Sequence, residues 1–463
     1  MGALLMSSNE NQSLRFAEQL IALGRSTLSA PDSEQIRRLM LDALGVMLRG
    51  SGLPLSLSMR DWAKQFSQSG QAPVVAGGFT TAPAVAALVN ATATHSYELD
   101  DTHDASMSHP GSVVIATALA MAAGTSTSQA KLFSAIAAGY ETIARVGMAA
   151  NASLVIKAGF HPTALFGPFG AATTAAILQD VDAPTLACAW GHVLSLTGGS
   201  MQFSDETQGT EIKRLHAGYA AQNGILAAGM AFRGISAPSR ALDGKYGLLS
   251  MYGHDSRPQH LAFKFGDRLQ IHEISMKPYS CCRLFHSLID ALDQATNGFN
   301  LEIDDITRIQ IGGPAVLLEQ HMLRRPTSVM AAQYSLPYAV GATLAYGPYR
   351  FDAYGDQYHQ DTAILGLIDK VEGHRDLTIE ATYPEHMGAS VEIYLNDGSV
   401  RQALVMDSKG TSRFALTNEE ILNKANSLVQ DLYPQYDMAV AYQKIWTETP
   451  QASSQILVDL FKG

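Results

Sequence analysis

Ser112–Gly147 reads SVVIATALAMAAGTSTSQAKLFSAIAAGYETIARVG. Two apolar runs are separated by Gly124 and a string of Thr and Ser residues, so the spacing predicts two helices joined by a short turn. The runs are rich in Ala and Gly, and small side chains let helix axes approach closely. The first run, Val113–Ala123, is about half the ~20 residues a membrane span requires. It reads instead as a buried helix.

The same character extends outward in both directions. From Ser13 to about Ala262 the apolar residues recur at helical spacing. Examples are the segment opened by Ser33-Glu34-Gln35, with Ile36, Leu39, Met40, Ala43, Leu44 and Met47 on one face, and the segments Pro83–Val89 and Phe169–Leu178. Near Gly266 the pattern changes to period two. Ile306–Ile311, Leu377–Thr382 and Ser390–Leu395 alternate as strands do, and Asn396-Asp397-Gly398 predicts a hairpin turn into a return strand Val400–Val405. Between them Met330–Tyr346 reads as one apolar helix, and helical spacing resumes at Asn418-Glu419-Glu420. The expected fold is therefore mainly α. A helical domain of residues 1–267 plus 407–463 would carry an inserted, smaller α+β lid domain of residues 268–406. At 463 residues the chain is long enough for two cores.

Composition narrows the function. Hydrophobic residues make up 46% and charged residues 16%, which suits a packed globular protein rather than a disordered one. The formal net charge of -11 and the lack of any Lys/Arg run argue against nucleic acid as a partner. The opening Met1–Gln12 has no basic region followed by a long apolar stretch, so a secretory signal is not expected. Gly2 suits a myristoylation motif, but Met6 stands where Ser or Thr is required. Three cysteines, Cys188, Cys281 and Cys282, two of them adjacent, suggest neither a disulfide framework nor an iron–sulfur cluster. A cytoplasmic protein without metal or organic cofactor is expected, with no membrane as a partner.

An acidic protein that handles anions must concentrate its cations locally, and five stretches stand out. Glu98-Leu99-Asp100-Asp101-Thr102-His103-Asp104 is followed by His109-Pro110-Gly111-Ser112, a loop of carboxylates and histidines leading to a helix start. Gly159-Phe160-His161-Pro162 holds a histidine between rigid neighbours. Lys213-Arg214-Leu215-His216 groups three basic side chains that could hold carboxylates. Lys277-Pro278-Tyr279-Ser280-Cys281-Cys282-Arg283 lies at the expected domain border, and Gln333–Tyr338 offers a tyrosine from the second domain.

Together and in this order these stretches resemble the MmgE/PrpD family, which includes 2-methylcitrate dehydratase, cis-aconitate decarboxylases and an iminodisuccinate epimerase. The resemblance runs from about Leu14 to about Trp446. It implies a helical domain with a smaller α+β lid, a homodimer, and no cofactor. It also implies an active site on Glu98, Thr102, His109, His161, Lys213, Lys277 and Tyr338. Where family members usually carry Asp, this chain carries Glu98. Catalysis would fall to His109, His161, Lys213, Lys277 and Tyr338, and substrate binding to Glu98, Thr102, Arg214 and Arg283. The expected activity is that of a lyase on a small di- or tricarboxylate, with dehydration placed ahead of decarboxylation or epimerisation.

Two rivals come from other classes. Asp100-Asp101-Thr102-His103-Asp104 spells the Asp-Asp-x-x-Asp pattern of magnesium-dependent helical terpenoid synthases, although no second metal motif accompanies it. A non-catalytic binding protein on the same fold would be favoured if Lys213 and Lys277 faced solvent on opposite sides.

Overall fold

The computed structural model describes residues 11–206, 210–264, 266–297, 302–447 and 449–462. Met1–Glu10, on which the reading of the N-terminus mainly rested, lie outside them. The architecture is mainly α. Among the described residues no helix is long and apolar enough to cross a membrane.

Helices that build the core include α1 Ala30–Ser51, α2 Pro83–His95, α3 Pro110–Ala122, α4 Gln129–Ala150, α5 Pro162–Leu178 and α6 Ile212–Phe232. Helix α6 packs against both α2 and α5. Glycine makes the close approach possible. A Cβ at Gly218 would lie 2.6 Å from the Leu88 carbonyl oxygen, and one at Gly224 would lie 2.7 Å from that of Pro168. Helix α3 is buried along almost its whole length, as its unbroken apolar run predicts. Pro168 lies inside α5 and cannot donate to Ala164; the Thr197 hydroxyl sits over the freed turn, 2.6 Å from the Leu165 carbonyl and 3.3 Å from that of Ala164.

A four-stranded sheet forms from β1 Ile306–Gly313, β2 Val371–Arg375, β3 Ala389–Leu395 and β4 Val400–Val405, in the order β2-β1-β3-β4. The β1–β2 pair is parallel and the other two pairs are antiparallel. Helix α7, His286–Thr296, packs on β3 and β4, and α8, Leu336–Tyr346, packs against α7. Buried apolar side chains fall into two clusters. One runs from Phe16 to Met276 and takes in Phe351 and the C-terminal Leu416–Phe461; the other runs from Tyr279 to Val405.

Several local expectations need correction. Leu377–Thr382 is not a strand. Asp376 caps the backbone N–H groups of Thr378 and Ile379, and Leu377–Glu380 turns into a short helix. The strand is the preceding Val371–Arg375, whose residues are exposed after Val371 and so show no alternation. Met330–Tyr346 is two helices, because the Ser335 hydroxyl accepts from Tyr338 N and starts α8 anew. Helix α1 starts at Ala30 behind the N-cap Ser29, earlier than Ser33. In β1 an irregularity between Ile306 and Arg308 lets Ile306 and Ile309 both be buried, which strict alternation forbids. The helical half is not strand-free either: Thr102–His103 pairs antiparallel with Ile274–Ser275. That pairing ties the acidic loop to the segment leading into Lys277.

Candidate active site

The loop between α2 and α3 is held from several sides. Lys424 Nζ donates to the Leu99 carbonyl at 3.0 Å and to Asp42 Oδ1 at 2.7 Å. Asp101 accepts from Gly111 N at 2.8 Å and from the Tyr140 hydroxyl at 2.6 Å, which fixes the turn into α3. Glu98 has φ of +56°, a left-handed conformation uncommon outside Gly, Asn and Asp. Its neighbour Tyr97 is anchored through its carbonyl, which accepts from Ser280 Oγ at 2.8 Å and from Gln333 Nε2 at 3.2 Å.

This scaffold brings two groups of side chains together. In the first, Glu98 accepts from Lys213 Nζ through Oε1. Through Oε2 it accepts from Lys277 Nζ at 3.5 Å and from the Tyr334 hydroxyl at 3.3 Å. Glu98, Lys213 and Lys277 are 2%, 2% and 1% exposed, so the two ammonium groups meet in the interior. Lys213 also lies 5.2 Å from the centre of the Tyr334 ring. The second group is a run of histidines. His95 Nδ1 lies 2.7 Å from Asp100 Oδ2, and the His95 ring is 4.8 Å from His109 and 6.0 Å from His161. The chain continues to His216, whose Nδ1 is 3.0 Å from Nδ1 of His161. Lys277 Nζ links the groups, 3.9 Å from Asp100 Oδ1.

The electrostatics follow from burial competing with charge. Burial works to raise Glu98, but Lys213, Lys277 and His95 outweigh it and hold its carboxyl well below the usual carboxylate range. Asp100 behaves alike: burial opposes its charge, and His109, His95 and Lys277 hold it low. Burial would lower Lys277, but Glu98 and Asp100 raise it, so it is an ammonium at neutral pH. Burial pushes His109 and His161 well below the ordinary histidine value, and His216 to about 4. These three rings are neutral at pH 7. His109 Nδ1 lies 3.0 Å from the Asp101 carbonyl, which can only accept, so Nδ1 carries the proton and Nε2 keeps its lone pair. His95 Nδ1 likewise donates to ionised Asp100, and its buried Nε2 has no protein partner.

Of the residues singled out in sequence, Glu98, His109, His161, Lys213 and Lys277 belong to these groups. Arg214 is buried alongside, with its guanidinium 3.5 Å from Gln333 Oε1. Thr102 is buried in the strand pairing, its hydroxyl without a hydrogen-bond partner. Two of the expected residues lie apart from these groups. Tyr338 donates its hydroxyl to the Ala353 carbonyl at 2.9 Å and packs inside the second cluster; Tyr334, four residues earlier, reaches Glu98 instead. Arg283 points away to Asp104, at 3.1 Å, and Ser408, at 3.2 Å. The additional members are His95, Asp100, His216 and Tyr334. The available signal for His95 and Asp100 was their five-residue separation across the end of α2, a histidine followed closely by a carboxylate.

His95, Asp100 and His109 offer ligand atoms within 4.8 Å of one another, the geometry of a three-ligand metal site. The Lys277 ammonium beside Asp100 already supplies a cation there, and His95 Nδ1 already carries a proton toward Asp100. A joint magnesium site on Asp100, Asp101 and Asp104 does not form. Asp100 serves His95, Asp101 serves Tyr140 and Gly111, and Asp104 serves Ser275 and Arg283. A separate cleft of about 800 Å³ is lined by residues such as His103, Arg257, Arg283 and Arg413, not by the lysine pair. Its guanidiniums at 283 and 413 are already paired with acids.

Known proteins resemble this chain over most of its length. The family model for the MmgE/PrpD N-terminal domain matches residues 15–261, and that for the MmgE/PrpD C-terminal domain matches residues 279–448. The cis-aconitate decarboxylase-like protein oryM of Aspergillus oryzae is 25% identical over 432 residues, covering 88% of each chain. A cis-aconitate decarboxylase of Aspergillus terreus is 25% identical over 433 residues, covering 85% of this chain and 84% of its own. The Homo sapiens cis-aconitate decarboxylase is 27% identical over 353 residues, covering 73% and 71%.

Proposed function

The chain belongs to the MmgE/PrpD family, and from that premise we propose that it is a carboxy-lyase acting on a small unsaturated polycarboxylate. The observation that carries the reading is the burial of Lys213 and Lys277 on one carboxylate, next to a His95–Asp100 pair whose Nε2 is free. Dehydration ranked first on sequence grounds; relatives named as cis-aconitate decarboxylases move the preference to decarboxylation.

The chemistry follows from the groups present. Lys213, Lys277 and Arg214 hold a substrate carboxylate and stabilise the charge that develops next to it. The bond to the departing carboxyl group breaks, carbon dioxide leaves, and the electron pair stays on the conjugated carbon. That pair is shared with the adjoining double bond, and a proton must then reach one end of the conjugated system. His95 is placed to carry it on Nε2, because Asp100 stabilises the imidazolium in the way a carboxylate partner does. His109, neutral and with its Nε2 lone pair open, relays protons beside it.

The test is incubation in deuterated water with a panel of unsaturated di- and tricarboxylates, cis-aconitate included, followed by proton NMR. The expected result is carbon dioxide release with one deuteron added at one end of the conjugated system left behind. Addition of water across the double bond without loss of carbon dioxide would return the reading to a dehydratase, seen in reverse, and no turnover of any acid would remove the lyase assignment. The assembly we propose is a homodimer. Helix α6 exposes Ile212, Tyr219, Leu226 and Met230 in one stripe at seven- and four-residue spacing, the kind of apolar face a partner covers. Sedimentation of Leu226→Glu against the wild type tests it: the variant should become monomeric, and a monomeric wild type would overturn the proposal.

A further inference from the structure

The site contains an anion of its own. Three cationic side chains, Lys213, Lys277 and Arg214, face two ionised acids, Glu98 and Asp100. Glu98 is the acid that engages the lysines, one through each oxygen. We propose that the Glu98 carboxylate permanently fills one of the anion positions between Lys213 and Lys277, so that this enzyme takes a dicarboxylate in preference to a tricarboxylate. The inference rests on the reading of the lysine pair as a substrate-carboxylate site.

Three observations keep Glu98 in place. Its backbone is clamped on both sides, with the Tyr97 carbonyl held by Ser280 and Gln333 and the Leu99 carbonyl held by Lys424. Its side chain is buried and meets three partners, Lys213, Lys277 and the Tyr334 hydroxyl. Swinging it out would strand a carboxylate away from both ammonium groups inside the protein, which is strongly unfavourable. Glu98 is also a fixed anion and not a proton carrier, since the lysines hold it ionised throughout the neutral range. The neighbouring histidines His109, His161 and His216 are neutral and add no positive charge to offset Glu98. Each further substrate carboxylate therefore enters against Glu98 as a like charge, which disfavours binding.

The probes are glutarate and tricarballylate, which share a five-carbon chain with two terminal carboxylates and differ by the central one. Calorimetric titration of the full chain should show wild type binding glutarate more tightly. Glu98→Gln keeps the shape and removes the charge. It should tighten tricarballylate by at least about tenfold, about 1.4 kcal/mol, change glutarate less, and reverse the order. Wild type binding tricarballylate more tightly than glutarate would overturn the proposal by itself, whether or not the variant folds. So would a Glu98→Gln protein that binds both acids with the wild-type ratio. If neither acid binds wild type, the carboxylate-site reading fails and this inference falls with it. If both bind but in the wrong order, only the inference falls.

Discussion

Lys424→Met isolates the contact that anchors the acidic loop. In the wild type Lys424 Nζ is buried between Asp42 Oδ1, at 2.7 Å, and the Leu99 carbonyl, at 3.0 Å. Methionine fills nearly the same volume and donates nothing. The variant leaves Asp42, 2% exposed at its side chain, as a buried carboxylate without its cation. Breaking a buried pair in this way costs about 3–5 kcal/mol. Adding Asp42→Leu removes the stranded charge, so the double variant should recover most of that. It should still fall short of wild type by about 1–3 kcal/mol, because the Leu99 carbonyl remains without a donor. The effect has a pH sign. Burial already pushes Asp42 above the ordinary carboxylate value, with Lys424 working against it. Without Lys424 the folded-state pKa rises further, so the native state binds a proton that the unfolded chain has released. Stability then falls as pH rises through the window between those two values. The deficit of Lys424→Met should be larger at pH 8 than at pH 5. Urea unfolding of wild type, single and double variants at both pH values gives the numbers. A deficit below about 1 kcal/mol at pH 8, or a double variant no more stable than the single, would refute the reasoning.

Replacing His95 with Gln should lower turnover by about 10²–10⁴-fold while leaving the calorimetric Kd for glutarate nearly unchanged; equal turnover would remove His95 from proton transfer. Tyr334→Phe and Tyr338→Phe should separate, the first lowering kcat/KM with little change in thermal midpoint. The second should cost about 1–3 kcal/mol of stability by orphaning the Ala353 carbonyl and leave the kinetics alone, so the reverse outcome would put Tyr338 in the site. In side-chain NMR titrations His216 should titrate near 4, and His109 and His161 below the ordinary histidine value, because burial disfavours their charged forms. Such histidines contribute stability in full above the unfolded value of about 6.5, and lose it as pH falls toward their folded values. Titration of all three near 6.5 would show that the site is open to water.

Much of this protein was legible in its residues because the relevant signals are local. The apolar run at Val113–Ala123 and the small residues around Gly218 require buried, closely packed helices whatever surrounds them. The Asn396-Asp397-Gly398 turn between alternating runs forms the expected hairpin of Ala389–Leu395 and Val400–Val405. The chemistry-bearing stretches were legible as types as well, since lysines and histidines concentrated in an acidic chain already point to an anion.

What only the tertiary structure decided is which side chains meet. Val371–Arg375 is a strand because a parallel neighbour completes its hydrogen bonds, a reason that lies some sixty positions away in β1. Tyr334 rather than Tyr338 enters the site because Ser335 restarts the helix between them and turns the two rings in different directions. His95 reads as the last residue of an apolar helix until Asp100 folds back onto it. Lys213 and Lys277 read as two separate cations until Glu98, from a third part of the chain, accepts from both. Secondary structure follows from neighbours in sequence, whereas charge pairing and proton affinity depend on distance and burial in space, and those exist only once the chain has closed on itself.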